Sequence, residues 1–167
     1  ALSESTSEML EIIVSVVKNG FKIFSPCLMT EPCPALLNPK DWCHEDIPWT
    51  PPLIIKELDK LTGLRKDSLK FSYLVLRKDK LSLSDILEKK SYRVVSEPLI
   101  SKGKLEFYIC GIGGRRLITR LDKDETPSNM QFQKLKRGDI VSFRDLIDED
   151  NRFKIGKGTT VSLIIKT

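Results

Sequence analysis

The feature that most constrains this chain is a proline-dense segment over residues 25–52, which holds seven of the nine prolines. Proline fixes φ and lacks a backbone N–H, so such a run predicts an irregular loop instead of a helix or strand. Loops of this length are uncommon in a compact domain unless something other than backbone hydrogen bonds holds them. Three of the four cysteines, Cys27, Cys33 and Cys43, lie in this segment. We therefore expect a loop that is held by its cysteines.

The spacing of the cysteines indicates what they bind. Five residues separate Cys27 from Cys33, nine separate Cys33 from Cys43, and sixty-six separate Cys43 from Cys110. Zinc sites usually combine two Cys-x-x-Cys knuckles, and this chain has neither. Iron–sulfur clusters accept thiolate ligands from widely separated segments. The pattern predicts one metal centre on these four cysteines and favours iron–sulfur over zinc. Zinc, a ligand role for His44, and four unrelated buried thiols are the alternatives.

Nothing in the sequence indicates secretion or membrane insertion. No apolar run approaches the roughly 18–20 residues that cross a bilayer. The first ten residues are acidic and polar, unlike the basic start of a signal peptide. In a soluble chain of this kind, clustered cysteines are more often ligands than disulfides. The chain also begins at Ala1, which is explained either by removal of an initiator Met or by a fragment of a longer protein.

Hydrophobic periodicity divides the first half of the chain into short elements. A helical stripe over residues 7–19 followed by a strand over Phe21–Phe24 is typical of the edge of an α/β sheet. After the proline-rich loop, the pattern predicts a helix over residues 53–66, a strand over Leu69–Arg77 and a short helix over Ser82–Lys90.

The second half reads as a series of short strands separated by glycine turns. The predicted strands are Tyr92–Val95, Leu105–Cys110, Arg116–Leu121, Asp139–Phe143 and Thr160–Ile165. This number of strands in about 75 residues predicts a small β-barrel of the oligonucleotide-binding type. The expected fold class is thus α+β: the edge of an α/β domain over residues 1–27, a cysteine-rich metal-binding segment with helices over residues 28–90, and a small OB-like β-barrel over residues 91–167.

Strand phase predicts how the distant fourth cysteine reaches the loop. Alternation in Leu105–Cys110 places Phe107 and Ile109 on one face and Tyr108 and Cys110 on the other. Cys110 is therefore expected to point away from the barrel core and towards the proline-rich loop. Neighbouring apolar residues would shield the centre. These are Leu28, Met29, Leu36, Leu37, Trp42, Ile109 and Ile112.

Charge is distributed unevenly along the chain. Residues 1–50 hold three Lys or Arg against seven Asp or Glu, whereas residues 51–167 hold twenty-five against sixteen. A basic excess of this kind favours polyanionic partners, RNA foremost. The candidate phosphate contacts flank two predicted turns. They are Arg115, Arg116, Arg120, Lys134, Lys136, Arg137 and Arg144. A solvated charged face is the alternative interpretation.

We find no convincing catalytic group in this sequence. Gly111–Gly114 lies between two predicted strands, whereas a nucleotide-binding glycine loop opens a helix, so we expect a hairpin turn. A single histidine does not support a Ser/His/Asp triad. The carboxylates Asp145, Asp148, Glu149 and Asp150 are expected in a solvated loop. The chain by itself is therefore not expected to be catalytic.

Two motifs resemble a known family. They are the cysteine loop that ends in Asp41-Trp-Cys-His44 and the stretch Lys70-Phe-Ser-Tyr-Leu-Val-Leu-Arg77. Together with Tyr108-Ile-Cys-Gly111 and Lys136-Arg-Gly-Asp139, they are similar to the C-terminal part of the methyltransferase-like small-ribosomal-subunit assembly proteins. That family includes mitochondrial methyltransferase-like protein seventeen and bacterial relatives. The chain departs from the family pattern after Cys27, where Leu28 and Met29 replace a nearby histidine.

The resemblance carries several expectations. It implies a 4Fe–4S cluster on Cys27, Cys33, Cys43 and Cys110, and an upstream Rossmann-type domain to which residues 1–27 would contribute the last helix and strand. S-adenosylmethionine would belong to that parent protein and not to this chain. The expected partner is small-subunit rRNA or the small subunit itself, with no DNA or membrane partner. The expected compartment is the cytoplasm in bacteria and the mitochondrial matrix in eukaryotes.

The resemblance therefore makes an iron–sulfur protein of small-subunit assembly the leading functional hypothesis. The alternatives are the C-terminal part of an S-adenosylmethionine-dependent rRNA methyltransferase and a zinc-stapled interaction module.

Overall fold

The computed structural model describes residues 12, 15–29, 33–36, 43–87 and 90–167. Its regular elements, apart from a helical stretch at residues 15–18 and short 3-10 turns, are two helices and twelve strands. The strands are β1 (Lys22–Ser25), β2 (Glu45–Pro48), β3 (Ser68–Phe71), β4 (Val75–Arg77), β5 (Ser91–Val94), β6 (Leu99–Ser101), β7 (Lys104–Gly111), β8 (Gly114–Leu121), β9 (Ile140–Arg144), β10 (Ile147–Glu149), β11 (Arg152–Ile155) and β12 (Thr160–Ile165). The helices are α1 (Leu53–Thr62) and α2 (Leu83–Ile86).

The second half of the chain forms one curled sheet of eight strands. Its order is β10-β11-β8-β7-β5-β9-β12, with β6 also paired to β7. Strands β8 and β11 run parallel, and the remaining pairs are antiparallel. Within the described part of the chain, β10 and β12 do not pair, so the curled sheet stays open as a half-barrel. The OB-like prediction is thus confirmed as a curled sheet and not as a closed barrel.

The concave face of this sheet holds the hydrophobic core. The fully buried side chains Phe107 and Ile109 alternate with the exposed Tyr108 along β7, as the strand period requires. Phe107 packs edge-to-face on Phe132, with the ring centroids 5.1 Å apart. The core cluster consists of Val94, Phe107, Ile109, Ile118, Phe132, Leu135, Val141, Phe143, Phe153, Ile155 and Val161. This core fixes the orientation of the opposite face of β7.

The first half adds two small antiparallel sheets. Strand β1 pairs with β4, and β2 pairs with β3. The prediction that the 25–52 segment excludes regular structure is wrong at β2, because these residues find a partner strand in β3. A proline is tolerated at the end of such a strand, where its missing N–H leaves the pairing intact. In the part of the chain that the structure describes, β1 joins no parallel sheet, so the edge of a methyltransferase-type domain stays a prediction.

Several predicted elements are confirmed with shifted ends. Residues 15–18 are helical, and Gly20 has φ +84°, which ends the helix as expected; residues 7–11, 13 and 14 of the predicted helix lie outside the described residues. The predicted strand over Leu69–Arg77 is divided into β3 and β4, which pair with different strands. No helix in the described ranges is long and apolar enough to cross a membrane.

Candidate metal centre

Three elements position the cysteines. Cys27 lies two residues after β1, Cys43 lies two residues before β2, and Cys110 is the next-to-last residue of β7. Cys33 directly precedes the 3-10 turn Pro34–Leu36. None of the four forms a disulfide, and all are half-buried. The fold therefore places each thiol where a regular element begins or ends.

Cys110 points towards the loop, as its strand phase predicts. Ile109 is fully buried in the barrel core, so the next side chain along β7 lies on the opposite face. The Cys110 thiol donates to the thioether sulfur of Met29, with the two sulfur atoms 3.3 Å apart. Met29 belongs to the proline-rich loop, 81 residues away in sequence. The contact joins the loop to the sheet at the predicted metal-binding position.

The turn after Cys33 lies against the same end of β7. A Cβ atom added to Gly114, in the hairpin turn between β7 and β8, would lie 3.7 Å from Cγ of Pro34. Ala35 in this 3-10 turn is buried. The hairpin itself confirms the interpretation of Gly111–Gly114, since Gly113 and Gly114 have positive φ values that favour glycine. The Cys33 segment thus lies beside Gly114, the cross-strand partner of the residue that follows Cys110.

The thiols lie close enough to influence one another's ionisation. Burial first, and then the neighbouring thiols of Cys27, Cys43 and Cys33, together raise the pKa of the Cys110 thiol from 9.0 to about 12. Burial raises the pKa of Cys27 to about 11, again with Cys43 and Cys33 contributing. Burial also raises the pKa of Cys43, opposed chiefly by the charge of Arg93. In the metal-free chain these three thiols keep their protons at neutral pH, so metal binding releases protons.

Two arginines lie beside the thiols. Arg93 is only 6% exposed and forms an ion pair with Glu45, two residues after Cys43. Arg137 donates through Nη1 to the carbonyl oxygens of His44 (3.1 Å) and Val95 (2.8 Å). Both arginines thereby attach the segment around Cys43 to the curled sheet. They also supply positive charge where a thiolate centre would carry negative charge.

The four thiols match a cluster in ligand type and number, and the metal itself stays a prediction. Among the described residues, no three Cys, His, Asp or Glu side chains are arranged to hold one metal ion. A 4Fe–4S cluster takes four thiolate ligands, which can come from separate segments. The chain offers four half-buried thiols from such segments, with cations beside them.

Apolar shielding is only partly as predicted. Leu28 is buried and Met29 contacts Cys110, as expected. The prediction is wrong for Ile109, which points into the barrel core, and for Ile112, which is exposed in the hairpin turn. Strand phase, and not distance along the sequence, decides which face of β7 the Ile109 side chain occupies. Leu37 and Trp42 lie outside the described residues, as does the Leu36 side chain.

A comparison with protein families identifies the chain. A family model described as "Mitochondrial small ribosomal subunit Rsm22" matches residues 4–139, most of the chain. The chain belongs to the Rsm22 family. The match includes all four cysteines, Arg93 and Arg137. Neither curated proteins nor solved structures give a significant match. Membership confirms the resemblance to methyltransferase-like proteins of the small ribosomal subunit.

The predicted phosphate-binding residues of this Rsm22 family member differ in how exposed they are. Arg115, Lys134, Lys136 and Arg144 are exposed. Arg120 is 2% exposed and pairs with Glu125 at 2.6 Å, so it does not belong to an exposed basic surface. The side chain of Arg137 is mostly buried by its contacts with the Cys43 segment.

Arg116 is partly buried and contacts residues of two other strands. Its Nη1 pairs with Asp148 at 2.9 Å, and its guanidinium lies over the Phe153 ring, 4.5 Å from the centroid. Asp148 and Glu149 are exposed, as expected of solvated carboxylates, but they belong to strand β10, so the prediction of a loop is wrong there. Arg116 therefore ties β8 to the β10–β11 hairpin.

One exposed aromatic residue accompanies the exposed Arg115 beside the candidate metal centre. The Cζ atom of Arg115 lies 5.5 Å from the centroid of the Tyr108 ring, which is 41% exposed. Arg115 is the cross-strand partner of Cys110 on β8. Directly paired residues share one face of a sheet, so Arg115 and Tyr108 lie on the face that carries Cys110.

Proposed function

We propose that this chain binds a 4Fe–4S cluster through Cys27, Cys33, Cys43 and Cys110 and acts in small ribosomal subunit assembly by binding rRNA. The observation that carries the proposal is the convergence of four half-buried thiols from four separate segments at one end of β7. Membership of a family described by the small ribosomal subunit supports the assigned pathway. The cluster, when bound, supplies four covalent attachments that hold the loop against the sheet.

The role that fits the geometry is structural. The loop is short of regular hydrogen bonding, and its contacts with the sheet involve only a few side chains. A metal group bound by both parts would add its binding energy to the stability of the folded state. The same face would then present Tyr108 and Arg115 in a fixed position for an RNA base and phosphate.

The first experiment is metal and sulfide analysis of the chain purified without oxygen. We expect brown protein with iron and acid-labile sulfide in equal amounts. Colourless protein with stoichiometric zinc would contradict the iron–sulfur assignment and favour the zinc-stapled module. Colourless protein without metal would indicate unrelated free thiols.

Substitution of a ligand tests the structural role. Loss of a metal site is among the costliest single changes, about 4 kcal/mol or more. For a chain of this length that corresponds to a fall in melting temperature of roughly 8–16 °C. We expect this fall for Cys33→Ser and Cys110→Ser in the loaded protein and a much smaller one in the metal-free protein. Ser142→Ala, at a buried position on β9, is the matched control. It should lower the melting temperature by the same amount in the loaded and in the metal-free protein.

The methyltransferase alternative concerns the longer family protein. S-adenosylmethionine would bind an upstream Rossmann-type part, and this assignment stays a prediction. The decisive measurement is transfer of a labelled methyl group to small-subunit rRNA by a full-length family protein, since a fold does not by itself establish an activity.

A further inference from the structure

The inference concerns the buried arginine beside the cysteines, and it rests on the proposed metal centre. Arg93 lies on β5, where its Cα is paired with that of Cys110 on β7. Directly paired residues of an antiparallel sheet place their side chains on the same face. Its neighbour Val94 is fully buried in the core, which confirms that Arg93 points to the other side. The strand pairing therefore directs the guanidinium to the cysteine face.

A guanidinium in this position needs negative charge around it. Arg93 is 6% exposed, and removing a cation from water costs several kcal/mol unless partners compensate for it. The carboxylate of Glu45 is one partner. The Cys43, Cys27 and Cys110 thiols are its other anionic neighbours when they ionise. One carboxylate and a set of thiolates thus share one buried cation.

The second arginine near the site is committed to other contacts. Arg137 gives Nη1 to two carbonyl oxygens, and its Nε pairs with Glu97 at 3.3 Å. It links backbone segments, whereas the surroundings of Arg93 are ionisable side chains. Arg137 also lowers the pKa of Cys43, but Arg93 lowers it more and is the arginine that also acts on Cys27 and Cys110. Arg93, with its partner Glu45, is therefore the nearer charged pair at the centre.

We propose that Arg93 and Glu45 form a resident countercharge for the thiolate centre, in which Arg93 offsets the negative charge of the metal-bound thiolates and Glu45 limits that offset. A cluster held by four thiolates is a net anion, and its reduced form carries one further negative charge. A buried cation nearby stabilises the reduced form more than the oxidised form, and a buried carboxylate does the opposite. The pair therefore tunes the reduction potential as well as the affinity for metal.

Opposite charge changes test this inference. In the loaded protein, we expect Arg93→Gln to shift the midpoint potential to more negative values and Glu45→Gln to shift it to more positive values. Arg93→Lys keeps the charge and should restore most of the difference. Arg152→Gln, an exposed arginine on β11 that pairs with Glu149, is the control and should leave the potential unchanged. A merely structural role would not give shifts of opposite sign.

Metal affinity gives a second readout that does not require the cluster. With zinc as the probe and metal-free protein, Arg93→Gln should weaken binding by about 10-fold or more, as for other residues that support metal ligands. Glu45→Gln should tighten it. If Arg93→Gln fails to fold, Arg93→Lys and Glu45→Gln still test the direction of the charge effect.

The outcomes separate this inference from the proposed function. A brown wild type whose potential is insensitive to both substitutions, or shifts the same way in both, overturns the countercharge and leaves the iron–sulfur proposal standing. A wild type that binds zinc alone overturns the iron–sulfur proposal, and the zinc affinities then support or overturn the countercharge. A wild type that binds neither overturns both.

Discussion

At the scale of single residues, the glycine that follows Cys110 is fixed by its surroundings. A Cβ atom added to Gly111 would lie 2.8 Å from the carbonyl oxygen of Ser91 and 2.8 Å from Cδ1 of Tyr92. Real Cβ atoms do not approach this closely, and the backbone oxygen of the paired strand β5 has little freedom to move. The small residue therefore allows β5 and β7 to pair as far as Cys110 and Gly111.

We predict that Gly111→Ala lowers stability by about 1–3 kcal/mol, the usual cost of overpacking. The measurement is the free energy of unfolding from a urea titration. Gly158→Ala is the matched control, because nothing lies within 4 Å of a Cβ atom there and its φ is outside the positive region. Equal stability of the two variants would show that β5 and β7 are farther apart at this point than the structure places them.

The residues of the candidate site were predictable to different degrees. The strand period of Leu105–Cys110 is enough to orient Cys110, because alternation is a local property. Arg93 has the same kind of local signal, since it alternates with Tyr92 and Val94. What was missing is the pairing of Arg93 with Cys110, which depends on a contact between separate strands. For the same reason, Arg120 and Arg137 look like surface residues in the sequence.

At the scale of elements, one carboxylate joins the short helix α2 to β1. A single oxygen of Asp85, Oδ2, accepts hydrogen bonds from the backbone N–H of Ser82 (2.7 Å) and from its hydroxyl (2.6 Å). The same oxygen pairs with Lys22 at 2.9 Å. The pKa of Asp85 is lowered to about 2, chiefly by the Ser82 hydroxyl and then by Lys22. The Asp85 carboxylate thus holds the first turn of α2 and links α2 to β1, which ends two residues before Cys27.

This lowered pKa predicts a pH dependence of stability. A depressed carboxyl pKa contributes stability that is fully present above the unfolded value of 3.8 and is lost as pH falls through about 2. Asp85→Asn should therefore melt below wild type at neutral pH, and the difference should shrink towards zero near pH 2. Thermal melts over this range check it. Asp122→Asn, in an exposed 3-10 turn, should not reproduce the pattern; if it does, the effect is one of general charge and not of the α2 start.

Elements were predictable where the pattern is long and buried on one face. Strand β12 was predicted with its observed ends, and β7 and β8 with shifts of one or two residues, because alternating burial marks them. Strands β6, β10 and β11 were missed. The first two have three residues each and are exposed along their length, and β11 has only four residues, of which Phe153 and Ile155 are buried. The break between β3 and β4 follows from their different partners, which no local pattern encodes.

At the scale of the whole molecule, the basic excess of the second half serves two purposes. Part of it is internal: Arg120 and Arg137 are themselves mostly buried and donate to backbone carbonyl oxygens, and Arg116 holds β8 to β10. Their charges therefore contribute to folding and only weakly to the field outside. The exposed part contains Arg115, which lies on the cysteine face. Net charge alone overstates the surface that is available to a polyanion.

The last prediction follows from this division. If the cysteine face binds rRNA through Arg115, Arg115→Gln should reduce affinity and lower the slope of log affinity against log salt by about one unit, the loss expected for one phosphate contact. Tyr108→Ala should reduce affinity with little change in slope, because loss of stacking on a base costs about 1–3 kcal/mol and releases no counterion.

Lys157 is an exposed cation in the turn between β11 and β12, and Lys157→Gln is the control. Binding of a small-subunit rRNA fragment, measured by fluorescence anisotropy at several salt concentrations, separates these effects. Equal slopes and equal affinities for all three variants and wild type would place the RNA contact away from the cysteine face, even if the metal centre itself is confirmed.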